Sequence, residues 1–123
     1  MLSNKTKGYL LYHQFRVGPS SDDYWLSISG FSGNITNPIT ATGGNNLNGM
    51  KFTARDRDND KGGGGYNCAV HSAGNNAGGW WYNYCSPLYL NHQYNHRSSA
   101  YLNGNWYSLP FVEIKIRPLN CNI

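Results

Sequence analysis

Asp56-Arg57-Asp58-Asn59-Asp60, then Asn67-Cys68-Ala69, then Gly79-Trp80-Trp81-Tyr82-Asn83-Tyr84-Cys85, decides how this chain is read. Three of its six acidic residues fall within five positions, although the formal net charge is +4. A hard cation accounts for such a concentration. Calcium takes about six to eight oxygens at roughly 2.3–2.6 Å, and alternating aspartates on a tight loop can offer it two or three carboxylates while carbonyls complete the shell. The alternative is a solvated, self-neutralising surface loop, because Arg55, Arg57 and Lys61 interleave with the acids. An EF-hand is excluded: counted from Asp56, the glycine position holds Lys61 and the final glutamate position holds Asn67.

At 123 residues the chain forms one domain, residues 1–123, small enough that little stability is in reserve. Only 39% of residues are hydrophobic and fifteen are glycine, so backbone entropy is opposed by few packing side chains. Ten Tyr, four Trp and four Phe compensate with large buried areas. The cations are scattered singly, which argues against a nucleic-acid groove. No apolar run is long enough to span a bilayer, and Met1 to Lys5 lacks the apolar core of a signal peptide. The expectation is a removed signal or a piece of a longer chain.

Three cysteines leave one over. Cys68 and Cys85 enclose 16 residues rich in Gly and Asn, and a disulfide there could stabilise by about 3 kcal/mol through loop closure. Cys121 then remains for an intermolecular bridge or a free thiol. Zinc is disfavoured because no Cys-x-x-Cys or His-x3-His spacing accompanies them. Sequons at Asn4 and Asn34 agree with an oxidising, secreted setting.

Along the chain, Tyr9 to Val17 reads as a strand, Gly18 to Asp22 as a turn, and Tyr24 to Ser29 as the antiparallel partner, with Tyr24, Leu26 and Ile28 on one face. Gly30 to Gly49 reads as a long surface loop, and Met50-Lys51-Phe52 as an extended entry to the aspartates. The polar stretch from Cys85 to Asn105 reads as irregular. Val112-Glu113-Ile114-Lys115-Ile116-Arg117 alternates apolar and charged residues, predicting a strand with one buried face, stopped by Pro118. No helix of useful length is predicted.

Gly49-Met50-Lys51-Phe52, Asp56-x-Asp58-Asn59-Asp60, Asn67-Cys68-Ala69, Gly79-Trp80-Trp81-Tyr82, Cys85 and Phe111-x-Glu113-x-Lys115-Ile116-Arg117-Pro118 together resemble the fibrinogen C-terminal domain of ficolins, tachylectins, tenascins and angiopoietins. Phe15-x-Val17-Gly18 and Ile28 to Asn34 resemble it too, so the match runs from about Tyr9 to Pro118. The fold class so implied is α+β, mostly β with long irregular loops, truncated at the N-terminal side. The family's N-terminal subdomain has no counterpart here.

By position, the resemblance makes Asp58 and Asp60 the side-chain calcium ligands, with carbonyls near Gly62 and Gly64 completing the shell and Asp56 supporting the loop by hydrogen bonding. It also implies a cis peptide at Tyr84-Cys85, whose strain would aim the amides of Cys85 and its neighbour into a ligand pocket. The pocket residues are then His71, Ser72, Tyr84, Cys85, Ser86, Tyr101 and Leu102. Ser86 stands where many members carry His, and Leu102 is bulkier than the usual Ala.

Trp80 and Trp81 read as core rather than as a sugar platform. His13, His92 and His96 show no metal spacing. An enzyme is disfavoured, since the only acids outside the aspartate run are Asp22, Asp23 and Glu113, which form no acid–base pair. Two functions are expected: a secreted, calcium-binding lectin-like module for acetylated glycans, or an adhesive extracellular module assembling with itself or another protein, through Cys121 or protein contacts.

Overall fold

The computed structural model describes residues 7–40, 43–75, 77–93 and 97–118. The glycosylation candidate Asn4, the leftover Cys121 and His96 lie outside them.

Strand β1 (Leu10–Val17) pairs antiparallel with β2 (Leu26–Gly33), Phe15 opposite Ile28. The turn closes where the Gly18 amide donates to the Trp25 carbonyl at 2.8 Å. Only glycine fits at 18, because a Cβ there would stand 2.2 Å from the Trp25 indole nitrogen. Leu26 and Ile28 are buried against Leu47, as their shared face predicts. Tyr24 does not join them: its φ of 55° ends the extended run, and it is half exposed.

The loop after β2 is more ordered than its composition predicts. β2 itself runs on to Gly33, and the far part of the loop folds back on it, with Leu26 donating to the Met50 carbonyl at 2.9 Å and Gly49 to the Leu26 carbonyl at 2.7 Å. Asn34, the second sequon, is exposed, but its Nδ2 already donates to the Lys7 carbonyl at 3.2 Å.

A single-turn helix α1 (Cys68–His71) follows, capped by the Asn67 side chain, which accepts from the Ala69 amide. Beyond the cysteines, the stretch predicted irregular is a three-stranded sheet of β3 (Leu88–Tyr89), β4 (Ser98–Leu102) and β5 (Asn105–Leu109), ordered β3-β4-β5. Asn103 and Gly104 make the hairpin turn, with φ of 52° and 84°. Positive φ at both positions is the primed geometry that matches strand twist.

The predicted strand over Val112–Arg117 is not formed. Phe111 to Pro118 takes part in no ladder among the described residues, and Phe111, Ile114 and Ile116 are 77%, 63% and 76% exposed. Alternation supplies an amphipathic strand, but a partner must supply the ladder, and none of the described residues does.

Three small clusters make the core: Cys68, Ala69, Ala77, Tyr82 and Tyr89; Leu26, Ile28 and Leu47; and Leu88, Ala100 and Leu102. Trp80 packs against all three. Trp81 meets Phe52 edge-on at 5.2 Å, and its indole N–H donates to the Tyr24 carbonyl at 2.7 Å. The tryptophan pair is therefore the hinge of the packing, where a core poor in aliphatics needs its largest rings.

Candidate functional site

The aspartate run leaves the core at buried Thr53, whose amide and carbonyl exchange hydrogen bonds with Trp80. Ala54 and Arg57 then bond each other's backbone, closing a tight turn with Asp56 exposed on it. Asp56 makes no side-chain hydrogen bond or ion pair among the described residues, so it does not brace the loop. Asn59 does so instead: its amide donates to Thr53 Oγ1 at 3.0 Å and its Nδ2 to the Phe52 carbonyl at 2.8 Å. The carboxamide of Asn59 offers both a donor and an acceptor, which Asp56 could not.

The interleaved cations do not neutralise the loop. Arg57 turns away to Asp23, Nε to Oδ1 at 2.6 Å, and neither Arg55 nor Lys61 pairs with an acid among the described residues. Asp58 and Asp60 thus stand together without a cation. Asp60 is the organising group: Oδ1 accepts from the Gly62 amide and Oδ2 from the Cys68 amide, each at 2.8 Å, while Asp58 Oδ1 accepts from the Asp60 amide at 3.2 Å. Burial holds the Asp60 carboxyl above the ordinary range; Asp58 pushes the same way, and the two amide bonds oppose them. With the folded pKa above the unfolded one, ionisation of Asp60 costs stability as pH rises through that window. A nearby cation would reverse that cost.

The donor chemistry fits calcium: two facing carboxylates with free lone pairs, and a run of glycines whose carbonyls no side chain screens. At Gly62 a Cβ would crowd Asp60 Oδ1 at 3.0 Å, while Gly63, Gly64 and Gly65 open onto space. No described group of three or more His, Cys, Asp or Glu gathers here, so an ion bound to Asp58 and Asp60 would take its remaining oxygens from carbonyls and water.

From this loop two links lead to the cysteines. Asp60 holds the Cys68 amide, and Asn67 Nδ2 donates to the carbonyls of Ala54 and Arg55 at 3.0 and 3.3 Å. Cys68 and Cys85 form a disulfide with Cα atoms 5.2 Å apart. The Tyr84-Cys85 peptide is trans, correcting the cis bond implied by resemblance. The strain falls on the dihedral instead: Cys85 has φ of 55°, and its carbonyl accepts from the Asn83 amide at 3.0 Å. A left-handed non-glycine residue here is stabilised by the cross-link and by Asn83 on either side.

Around Cys85 the structure gathers most of the predicted pocket. Ser72 Oγ donates to Cys85 Sγ at 3.0 Å and lies 3.4 Å from the Tyr66 hydroxyl. Ser72 and Ser86 are buried beside it; burial raises the Tyr89 hydroxyl pKa, and the Ser72 side chain and Ser86 backbone oppose that rise. His71 is exposed, its ring tilted at 43° to that of Tyr66 with centroids 5.1 Å apart, and Tyr84 is exposed as well. Leu102 does not wall the pocket; it is 5% exposed, packed with Leu88 and Ala100. Alternation on β4 puts Leu102 inside and its neighbour Tyr101 outside.

Three residues missed in the sequence join these: Tyr66, Tyr89 and Trp106. Tyr89 stacks on Trp106 at 5.8 Å and 19°, and Trp106 meets Tyr101 at 5.4 Å. Tyr101 and Trp106 are cross-strand partners, with the Tyr101 amide donating to the Pro87 carbonyl at 2.6 Å. The missed signal was Asn103-Gly104, which places Tyr101 opposite Trp106. The result is a shallow shelf with half-exposed Tyr101 and Trp106 at one end and Cys85 at the other. Clefts of about 360 and 290 Å3 lie elsewhere, one beside Asn75 and Asn91 and one beside Tyr24 and Phe52.

The family model described as "Fibrinogen beta and gamma chains, C-terminal globular domain" matches residues 2–119. The chain belongs to the fibrinogen C-terminal domain family, whose members are non-enzymatic recognition modules. It is 37% identical over 126 residues to fibrinogen-like protein A of Apostichopus parvimensis, covering 93% of this chain and 41% of that protein. Among solved structures, the fibrinogen-like globe domain of human ANGPTL2 superposes with a TM-score of 0.60 at 35% identity, covering 75% of this chain and 38% of that one. Lamprey fibrin D-dimer, complexed with the peptide Gly-His-Arg-Pro-amide, gives a TM-score of 0.54 at 27% identity, over 68% of this chain and 28% of its own. The chain thus spans about two fifths of the first two relatives. No helix among the described residues is long and apolar enough to cross a membrane.

Proposed function

We propose that this is a secreted recognition module that binds acetylated glycans on the shelf between Cys85 and the Tyr101–Trp106 pair, with calcium at Asp58 and Asp60 fixing the corner behind it. The observation that carries this reading is that half-buried Cys85, which accepts from buried Ser72, packs against the same core cluster as Tyr89, whose ring stacks on half-exposed Trp106 beside Tyr101. Flat, exposed aromatic faces beside a few buried polar atoms suit a sugar that offers C–H faces and an acetamide together. The peptide bound by the lamprey relative supports recognition by the family in general. Calcium enters as a shape-holding ion: Asp58, Asp60 and the carbonyls of Gly62 and Gly64 would hold it, and the Asp60 bond to the Cys68 amide would carry its effect to the disulfide.

The chain is expected to be retained on an N-acetylglucosamine resin, to elute with free sugar or with a chelator, and to lose retention on Tyr101→Ala. Passage straight through that resin in calcium would remove the glycan reading. A second reading, an adhesive module assembling with itself or another protein, is favoured by the exposure of Leu11, Phe15, Phe111, Ile114 and Ile116.

A further inference from the structure

The sequence holds two Asn-Gly dipeptides, Asn48-Gly49 and Asn103-Gly104, and the fold treats them oppositely. An asparagine before glycine is open to attack on its own side-chain carboxamide by the next backbone nitrogen, because no Cβ shields that nitrogen. Both asparagines are exposed, so exposure does not separate them. At Asn48 both partners in the reaction are held: the Gly49 amide donates to the Leu26 carbonyl at 2.7 Å, and Asn48 Oδ1 accepts from the Ile28 amide at 2.9 Å. Leu26, Ile28 and the preceding Leu47 are all buried, so these bonds are anchored in the core. At the turn between β4 and β5 neither partner is held. The Asn103 side chain and the Gly104 amide make no hydrogen bond among the described residues, and a Cβ at Gly104 would meet nothing within 4 Å.

We propose that Asn103 is a site of spontaneous deamidation and isomerisation, and that Asn48 is protected from the same reaction by its two hydrogen bonds. The Gly104 amide nitrogen, giving up its proton to hydroxide, attacks Asn103 Cγ. The bond from Cγ to Nδ2 breaks, ammonia leaves with a proton from water, and a five-membered cyclic imide remains. Water then opens the ring at one of its two carbonyls, so one water is consumed and one ammonia released, with no oxidant or reductant. Opening on one side leaves an aspartyl residue, which keeps the backbone length and suits the same primed turn. Opening on the other leaves an isoaspartyl residue, which adds one carbon to the main chain, so the two-residue connection no longer sets Leu102 opposite Asn105. The pairing of Tyr101 with Trp106, one step further from the turn, loosens with it. Neither glycan nor calcium enters this chemistry.

Incubation of the full chain in warm, mildly alkaline buffer, followed by peptide mapping with mass spectrometry, tests it. In the folded chain Asn103 is expected to deamidate at least about tenfold faster than Asn48, since attack at Asn48 must first break two hydrogen bonds. In denaturant the two rates are expected to converge, because the fold then protects neither. The isoaspartyl fraction, once separated, is expected to lose near-ultraviolet circular dichroism from the Tyr101–Trp106 pair. Asn103→Gly keeps a residue suited to the primed turn and removes the carboxamide; it should retain the wild-type spectrum and yield no product at that position. Equal rates at the two asparagines in the folded chain, or an Asn103 that reacts only in denaturant, would overturn the assignment of the site. An isoaspartyl fraction with the wild-type spectrum would overturn its effect on the hairpin.

Discussion

Tyr82→Ala is expected to lower the melting temperature on the order of 10–20 °C. Tyr82 is fully buried, packs in the cluster containing the disulfide and Tyr89, and donates from its hydroxyl to the Gly78 carbonyl at 2.6 Å. Truncating a buried aromatic ring costs about 3–5 kcal/mol, because the transfer energy is lost and a cavity remains. In a domain with about 5–15 kcal/mol in total, that is a large share. The core is three small clusters bridged by Trp80, so little neighbouring side chain is available to refill the space. Tyr82→Phe separates the contributions: it keeps the ring and strips only the hydroxyl, and is expected to cost about 1 kcal/mol. Burial also raises the Tyr82 hydroxyl pKa well above the ordinary phenol range, so this bond persists through alkaline titration of exposed tyrosines. Thermal denaturation followed by near-ultraviolet circular dichroism measures both variants. Equal melting temperatures for Tyr82→Ala and wild type would place the stabilising core elsewhere.

The second large effect is metal-dependent. Calcium at a hundred times its dissociation constant is expected to stabilise wild type by about 2.7 kcal/mol, and to leave Asp58→Ala plus Asp60→Ala unmoved. The double variant is also expected to melt lower in chelator, since losing the Asp60 carboxylate leaves the Cys68 amide without its acceptor, at about 1–3 kcal/mol. The two contributions are separable: Asp58→Ala alone removes a ligand while keeping both Asp60 bonds. It should lose most of the calcium shift with little change in chelator. Superimposable wild-type curves with and without calcium would reject the metal, while a normal shift in the double variant would move it to other oxygens.

What the sequence made legible follows from how local each signal is. The Cys68 and Cys85 pair and the β1–β2 hairpin are each written within a short window, and they stand where expected. The three-stranded sheet was not legible because β4 and β5 are half polar: Ser98, Ser99, Asn105 and Ser108 hide the alternation that Ala100 and Leu102 carry. Asn103-Gly104 held the clue, since positive φ at both positions is what a two-residue hairpin turn requires. Conversely, Val112–Arg117 shows a clean alternation and forms no ladder, because pairing is a property of two segments. The proposed pocket residues do not all share one surface. Leu102 and Tyr101 are adjacent in sequence, yet the pleat sends one inward and the other to solvent.

The linkage from Asp60 through Cys68 to Cys85 makes the corner a single mechanical unit. A recognition surface needs such a unit because glycine-rich backbone has many conformations to lose on binding. Four glycines follow Lys61, and the run is held by Asp60 at the Gly62 amide, by the Tyr66 amide donating to the Gly63 carbonyl at 3.2 Å and by the Lys61 amide donating to the Asn83 carbonyl at 2.9 Å.

The most direct test is a titration of isotope-labelled chain with N-acetylglucosamine in calcium, followed by amide chemical shifts. Saturable shifts are predicted at Cys85 and Ser86 and at the indole N–H of Trp106, and they should vanish in chelator. Shifts confined to other parts of the fold, or none at these three groups, would contradict glycan recognition on the Cys85–Trp106 shelf.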